Sequence, residues 1–185
     1  VDATASREPT WDRACHVQGQ MFLETAALGG LEVQLVYYRG FDECRASRWV
    51  SEASDLVRLM TGVFCLAGQT KIGRVLQHAV RETQRKRVAV LVFVGDCFEE
   101  NLDEVGQIAG QLGMLGVRVF LFQEGHNLPA ERAFRHLAKL TNGAHCRFDS
   151  NSPQQLRDLL GAVAAYAAGG RSALADLSKR SSPEV

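Results

Sequence analysis

Asp2, Thr4 and Ser6 put one carboxylate and two hydroxyls on alternate residues of the opening segment, in the pattern D-x-T-x-S. In an extended or tightly looped segment, alternate side chains point the same way. Three hard oxygen donors can then converge on one point. Such donors suit Mg²⁺, Mn²⁺ or Ca²⁺, and they suit zinc or copper poorly. The spacing predicts one third of a divalent-cation site, with Thr70 and Asp96 supplying the rest from far along the chain. D-x-[ST]-x-S is frequent by chance, so its weight comes from where Thr70 and Asp96 fall among the elements.

Those elements alternate between helix and strand. Trp11 to about Leu28 reads as a helix, with Ala14, Val17, Met21 and Leu28 on one face and Gly29-Gly30 as its stop. Leu31 to Tyr38 reads as a strand and Cys44 to Val50 as a second. The short turn at Gly40–Glu43 favours an antiparallel hairpin, and Arg45 and Arg48 suit a sheet edge. Ser51 is the expected cap of a helix reaching about Met60. After the loop that holds Thr70, Lys71 to Arg85 carries apolar residues at Ile72, Val75, Leu76, Ala79 and Val80, at helical spacing. Arg87 to Gly95 is apolar without alternation, as a central strand covered on both faces should be. A helix from Asn101 to Leu115, a strand from Val117 to Phe122, a helix from Leu128 to Leu140 and a strand from Ala144 to Phe148 follow. Ser152-Pro153 starts a last helix docked by Leu156, Leu159, Leu160 and Val163.

This order predicts an α/β domain: a doubly wound, mostly parallel sheet with one antiparallel edge strand and helices on both faces. Ligands of such sheets sit beyond the carboxyl ends of the strands, where the strand order switches. The Asp2 loop follows the presumed first strand, the Asp96 loop follows the buried strand, and Thr70 precedes a helix. All three should gather at one rim. The domain is expected over residues 1–169, with its first strand cut short, followed by a loose polar tail over 170–185.

Composition narrows the options. The 185 residues form one domain's length, and 46% hydrophobic content supplies a core. The 21 basic and 21 acidic residues balance, which gives no global field toward nucleic acid. No apolar run is long enough to span a bilayer. The five scattered cysteines contain no C-x-x-C pair, so reduced thiols and a cytoplasmic setting are expected.

With these pieces in place, the chain resembles a von Willebrand factor type A domain over nearly its whole length. That family carries a metal-ion-dependent adhesion site built from D-x-S-x-S, a distant Thr and a distant Asp. The matching positions are Asp2, Thr4 and Ser6, then Thr70 in Gly68-Gln69-Thr70, then Asp96 after Val94-Gly95. The resemblance implies that Thr4 and Ser6 ligate directly, that Asp2 and Asp96 act directly or through water, and that Thr70 joins according to the state of its loop. Thr4 replaces the commoner Ser, Arg7 replaces an apolar residue, and Cys97 replaces a frequent Gly. Two carboxylates only just neutralise a divalent ion, which leaves it able to accept an acidic side chain from another protein in place of a water.

The function implied is a non-catalytic, cation-dependent protein-binding module, with Mg²⁺ (or Mn²⁺ or Ca²⁺) as cofactor and a partner Asp or Glu completing the shell. Bacterial cytosolic members of the family often stand alongside AAA+ ATPases, which makes such a system one candidate partner. Two alternatives compete. One is a metal-dependent phosphoryl-transfer hydrolase with Asp2 as nucleophile. The chain has neither the second Asp of a D-x-D motif nor a glycine-rich phosphate loop to support it. The other is a degenerate domain that binds no metal.

Each candidate also has a bland reading. Asp2, Thr4 and Ser6 could form a turn cluster, Thr70 a helix cap, and Asp96 a cap for the helix from Asn101. Glu99 and Glu100 read as first-turn acids of that helix. Arg81–Arg87 reads as a solvated helix end, the five histidines as dispersed structural or surface groups, and Cys97 as a small buried filler.

Overall fold

Strand β1 (Val33–Arg39) turns through Gly40–Asp42 into β2 (Glu43–Val50), and the two pair antiparallel from Val33↔Val50 to Arg39↔Glu43. The computed structural model describes residues 1–7, 31–148, 154, 158–167 and 169. The helix expected over 11–28, its Gly29-Gly30 stop, the Ser152-Pro153 start, Leu156 and the tail over 170–185 lie outside the described residues. Helix α1 (Ala53–Thr61) leads to a loop over 62–71 and then to α2 (Ile72–Arg85). The rest alternates: β3 (Val90–Gly95), α3 (Leu102–Met114), β4 (Arg118–Glu124), α4 (Leu128–Leu140) and β5 (Ala144–Phe148). Residues 158–167 are helical.

Strands β3, β4 and β5 form a parallel ladder, from Val90↔Arg118 and Phe120↔Ala144 onward. The opening segment joins this ladder to the hairpin. The Asp2 amide donates to the Val94 carbonyl at 3.0 Å, and the Ala3 amide donates to the Tyr38 carbonyl at 3.0 Å. Successive N–H groups point to opposite sides, as they do in a strand. Asp2 bridges Tyr38 in the parallel sense. Residues 1–4 therefore lie between β1 and β3, and the order across the molecule is β2, β1, residues 1–4, β3, β4, β5. The strand order reverses at this opening segment.

The apolar runs bury both faces. Leu91 and Phe93 of β3 pack with Tyr38, Leu121, Phe134 and Leu76 on one side. Val90, Val92 and Val94 pack with Phe122, Leu160 and Val163 on the other. Leu35 and Val50 join Leu56 and Met60 of α1 on that second side. This two-sided burial is why β3 shows no alternation in sequence. The first half of β3 is only half-buried. A cavity of about 370 Å³ opens there beside Val1, lined by Val33, Leu35, Val90, Val92 and Val163. None of the five candidate ligands lines it.

Element boundaries differ from expectation at several ends. Helix α1 starts after Glu52, and no side chain caps it, so Ser51 does not serve. β3 begins at Val90 rather than Arg87, and β4 continues to Glu124. Helix α4 and strand β5 span the residues expected for them. Asn142 ends that helix in the left-handed region (φ 51°), and the Gly143 amide donates back to the Ala138 carbonyl at 2.9 Å. Among the described residues no helix is long and apolar enough to cross a membrane.

Candidate functional site

Asp2 sits at the seam of the two sheets with its backbone held on both sides. Its side chain is fully buried. Oδ1 accepts the Thr4 amide at 2.9 Å, which turns the chain out of the sheet. A short 3₁₀ turn over Ala5–Arg7 then carries Ser6 back over Thr4, so that the two hydroxyl oxygens lie 3.1 Å apart. Oδ2 of Asp2 is buried without a partner.

Asp96 leaves the carboxyl end of β3 one residue after Gly95, and its Oδ1 is also buried without a partner. Gly95 is needed for close approach. A Cβ there would lie 2.8 Å from the Phe93 ring and 3.3 Å from Cβ of Asp2.

The electrostatics are those of a buried negative cluster. Burial pushes the Asp2 carboxyl above the usual carboxylate range, and the charge of Asp96 adds to it, against the lowering effect of the Thr4 and Tyr38 donors. Burial also pushes the Tyr38 phenol well above its ordinary value, with Asp2, Glu100 and Asp96 pushing the same way. Oη of Tyr38 lies against Asp2 yet makes no hydrogen bond of normal geometry. The Cys97 thiol is pushed up to about 11 by burial and by Asp96, Asp2 and Glu99. No Lys or Arg is among the main influences on these three groups.

Thr70 is buried, and it is tied to the Asp96 loop rather than to its own helix. Its Oγ1 accepts the Glu99 amide at 2.9 Å, and its amide donates to Glu99 Oε2 at 3.1 Å. The Glu100 carboxylate accepts the Ile72 amide and, at 3.1 Å, the Gly73 amide. The residue before α2 is Lys71, which offers no side-chain cap. Glu100 caps that helix from another element, and Thr70 does not. This corrects the reading of Glu99 and Glu100 as first-turn acids of α3. Asn101 caps α3 by accepting the Asp103 and Glu104 amides, and Asp103 and Glu104 are its first-turn acids. The sequence held a signal for this. Asn101-x-Asp103-Glu104 is already a complete helix start, which leaves Glu99 and Glu100 redundant for α3.

The Thr70 loop is fixed on its other flank as well. The Leu66 amide donates to the Ala3 carbonyl at 3.1 Å, and Leu66 bridges Thr4. The Gln69 amide donates to the Gly40 carbonyl at 3.3 Å. A Cβ on Gly68 would fall 1.9 Å from the Gly40 oxygen, so the two backbones can meet only over a glycine. The loops carrying Asp2, Asp96 and Thr70 thus meet at one rim, at the carboxyl ends of β1 and β3.

The donor set can be tested against a metal ion. Among the described residues no three histidine, cysteine, aspartate or glutamate side chains cluster in a metal-holding group, so an ion here would rest on two carboxylates and on hydroxyl oxygens. Two buried carboxylate oxygens without partners, beside hydroxyl oxygens, do fit a hard cation. An unpaired buried acceptor is costly, and a cation would relieve both at once.

Comparisons with known proteins agree with the fold. No protein-family model and no curated protein matches the sequence. Among solved structures, a von Willebrand factor type A protein from Catenulispora acidiphila superposes with a TM-score of 0.69 at 12% identity, over 89% of this chain and 41% of that one. Proximal thread matrix protein 1 of the mussel byssus gives 0.61 at 14%, over 88% and 44%. The manganese-loaded TRAP protein of Plasmodium vivax gives 0.58 at 15%, over 86% and 69%. The chain spans less than half the length of the first two. At these identities the likeness speaks for architecture, and the architecture is the α/β fold of von Willebrand factor type A domains.

Proposed function

We propose that the chain is a non-catalytic protein-binding module that holds a divalent cation, Mg²⁺, Mn²⁺ or Ca²⁺, at the rim formed by the Asp2, Thr70 and Asp96 loops. The observation that carries this reading is the pair of buried oxygens on Asp2 and Asp96 without hydrogen-bond partners, in a negative cluster with no basic side chain among its main influences. Thr4, Ser6 and Thr70 would add neutral oxygens. The bound cation would supply a Lewis-acidic position for an acidic side chain of a partner protein. The chain's own part is to hold the donors in place and to leave Oδ2 of Asp2 and Oδ1 of Asp96 open. Oδ1 of Asp2 is engaged by Thr4, and Thr70 is held in place by Glu99.

Isothermal titration with Mg²⁺, Mn²⁺ and Ca²⁺ tests it. Wild type should bind one ion, while Asp2→Ala and Asp96→Ala should lose at least ten-fold in affinity and keep the circular dichroism of the fold. Absence of heat with all three ions in the wild type would leave a metal-free domain. The hydrolase alternative would need an acid or base beside Asp2, and the sequence lacks the second Asp of a D-x-D motif. Mg²⁺-dependent phosphatase turnover that is lost in Asp2→Asn would restore it.

A further inference from the structure

Tyr38 stands near the end of β1 beside Asp2, and its hydroxyl takes no part in the site described so far. The residue is fully buried. It bridges Asp2 in the parallel sense, which puts the two side chains next to each other on one face of the sheet. Gly95 brings no side chain to that face, and the space it leaves is taken by Phe93 and Asp2. The Tyr38 ring itself is clamped. It stacks on Phe93 with 6.2 Å between centroids, and Phe93 meets Phe134 edge-on at 5.6 Å. Ile72, Leu76 and Val105 belong to the same cluster. A ring held in this way fixes its oxygen in place and leaves the O–H only a rotation about its own bond.

That oxygen has no hydrogen-bond partner, and burial keeps it from turning to bulk water. The acids that act on it are Asp2, Glu100 and Asp96. Both oxygens of Glu100 are committed to α2, Oε2 to the Ile72 amide and Oε1 to the Gly73 amide. Oδ1 of Asp2 is committed to the Thr4 amide. The acceptors left open are Oδ2 of Asp2 and Oδ1 of Asp96, the two oxygens assigned to the cation above. Of these, Asp2 is the residue that Tyr38 bridges. A phenol keeps its proton at neutral pH, so in this company it acts as a donor. For packing alone a phenylalanine would serve as well, and an unpaired buried hydroxyl is a cost.

We infer that Tyr38 is a positioning residue for the cation site: its hydroxyl donates to the Asp2 carboxylate and holds that group turned toward a divalent ion at the rim. The Thr4 amide grips one oxygen of Asp2 from the backbone side, and Tyr38 supports the other, which keeps a lone pair for the ion. A hydrogen bond to a ligating carboxylate fixes its direction, and it is stronger the more fully that carboxylate is charged. Tyr38 therefore adds more to metal affinity than to metal-free stability. This rests on the cation reading above and extends it to a residue outside the D-x-T-x-S, Thr70 and Asp96 set.

Tyr38→Phe tests it, because the change keeps the ring and its stack on Phe93 and removes only the hydroxyl. Isothermal titration with MgCl₂ should show about ten-fold weaker binding than wild type. The urea midpoint in EDTA should be unchanged or higher, since the group removed is buried and unpaired. Tyr37→Phe is the control. Tyr37 is half-buried and packs on the opposite face, and its variant should bind Mg²⁺ as wild type does. Wild-type affinity in Tyr38→Phe, or an equal loss in both variants, would overturn the inference and leave the cation reading standing. So would a weaker affinity accompanied by a lower midpoint in EDTA, which is the mark of a hydroxyl that serves the fold. Absence of binding in wild type with Mg²⁺, Mn²⁺ and Ca²⁺ alike would overturn the cation reading and this inference with it.

Discussion

Asp2 carries two opposed demands. Its buried Oδ2 has no hydrogen-bond partner, and burial together with Asp96 disfavours its charge. Without a cation that is a cost, and an amide in its place should lower it. Asp2→Asn keeps an oxygen for the Thr4 amide and removes the charge. It should raise metal-free stability by about 1 kcal/mol, read as a higher urea midpoint in EDTA. The same variant should lose the stabilisation that Mg²⁺ gives to wild type. A lower midpoint in EDTA would show that the carboxylate has a partner of another kind. Gly95 answers to the same crowding. Gly95→Ala should cost about 1–3 kcal/mol by driving Phe93 and Asp2 apart, and it should weaken metal binding along with the fold. At this scale the sequence was legible in part. The residue types of Asp2, Thr4, Ser6, Thr70 and Asp96 suggested hard-ion chemistry, and the structure brings their loops to one rim. Glu99 and Glu100 were misplaced, because a carboxylate before a helix is written the same way whether it serves that helix or one 28 residues earlier.

Among the elements, α2 is unusual in taking its amino-terminal cap from outside itself. Glu100→Ala removes the acceptor for the Ile72 and Gly73 amides. The expected loss is about 1 kcal/mol, with faster hydrogen exchange at those two amides than at the middle of the helix. Unchanged exchange at Ile72 and Gly73 would mean that another group satisfies them. Gly68→Ala should be worse, since the Gly40 carbonyl it would strike is backbone and cannot swing away. Elements with strong local signals were read closely. Helix α4 has Asn127 and Pro129 at its start and Asn142-Gly143 after its end, and strand β5 follows from that stop. β3 starts three residues later than expected, because Val88 and Ala89 extend the apolar run while the paired ladder with β4 begins only at Val90. An apolar pattern reports what wants to be buried, and pairing decides where the ladder begins.

For the molecule as a whole, two half-buried histidines set the acid side of stability. His78 pairs with Gln34 at 2.8 Å and His145 with Gln123 at 3.0 Å. Burial holds both below the ordinary imidazole value of 6.5. Arg81 and Arg85 push His78 down against Glu82, and Arg135 and Arg147 push His145 down against Glu131. Below the ordinary value the unfolded chain takes up protons that the folded chain resists. Stability should therefore be full above pH 6.5 and fall as the pH drops toward the folded values. Melting temperatures from pH 7.5 to 5 should show this slope, and His78→Gln with His145→Gln should flatten it. Asp2 and Glu100, held above their ordinary values, act in the opposite sense. Their contribution is present at acid pH and is lost as the pH rises through the folded values.

Alternation of helices and strands made the layered architecture readable. The three-part reading of the site needed tertiary proximity that no local pattern encodes.

One feature of the sheet gives the site a mechanical character. Residues 1–4 hold β1 to β3 and also present the first candidate ligands. Tension on an anchored partner would enter at the middle of the sheet rather than at an edge. It would be shared between the Tyr38 and Val94 carbonyls before reaching any loop. Single-molecule pulling through a tethered ligand should then meet a stiffer response than pulling on β2, where the load would peel the hairpin open one rung at a time.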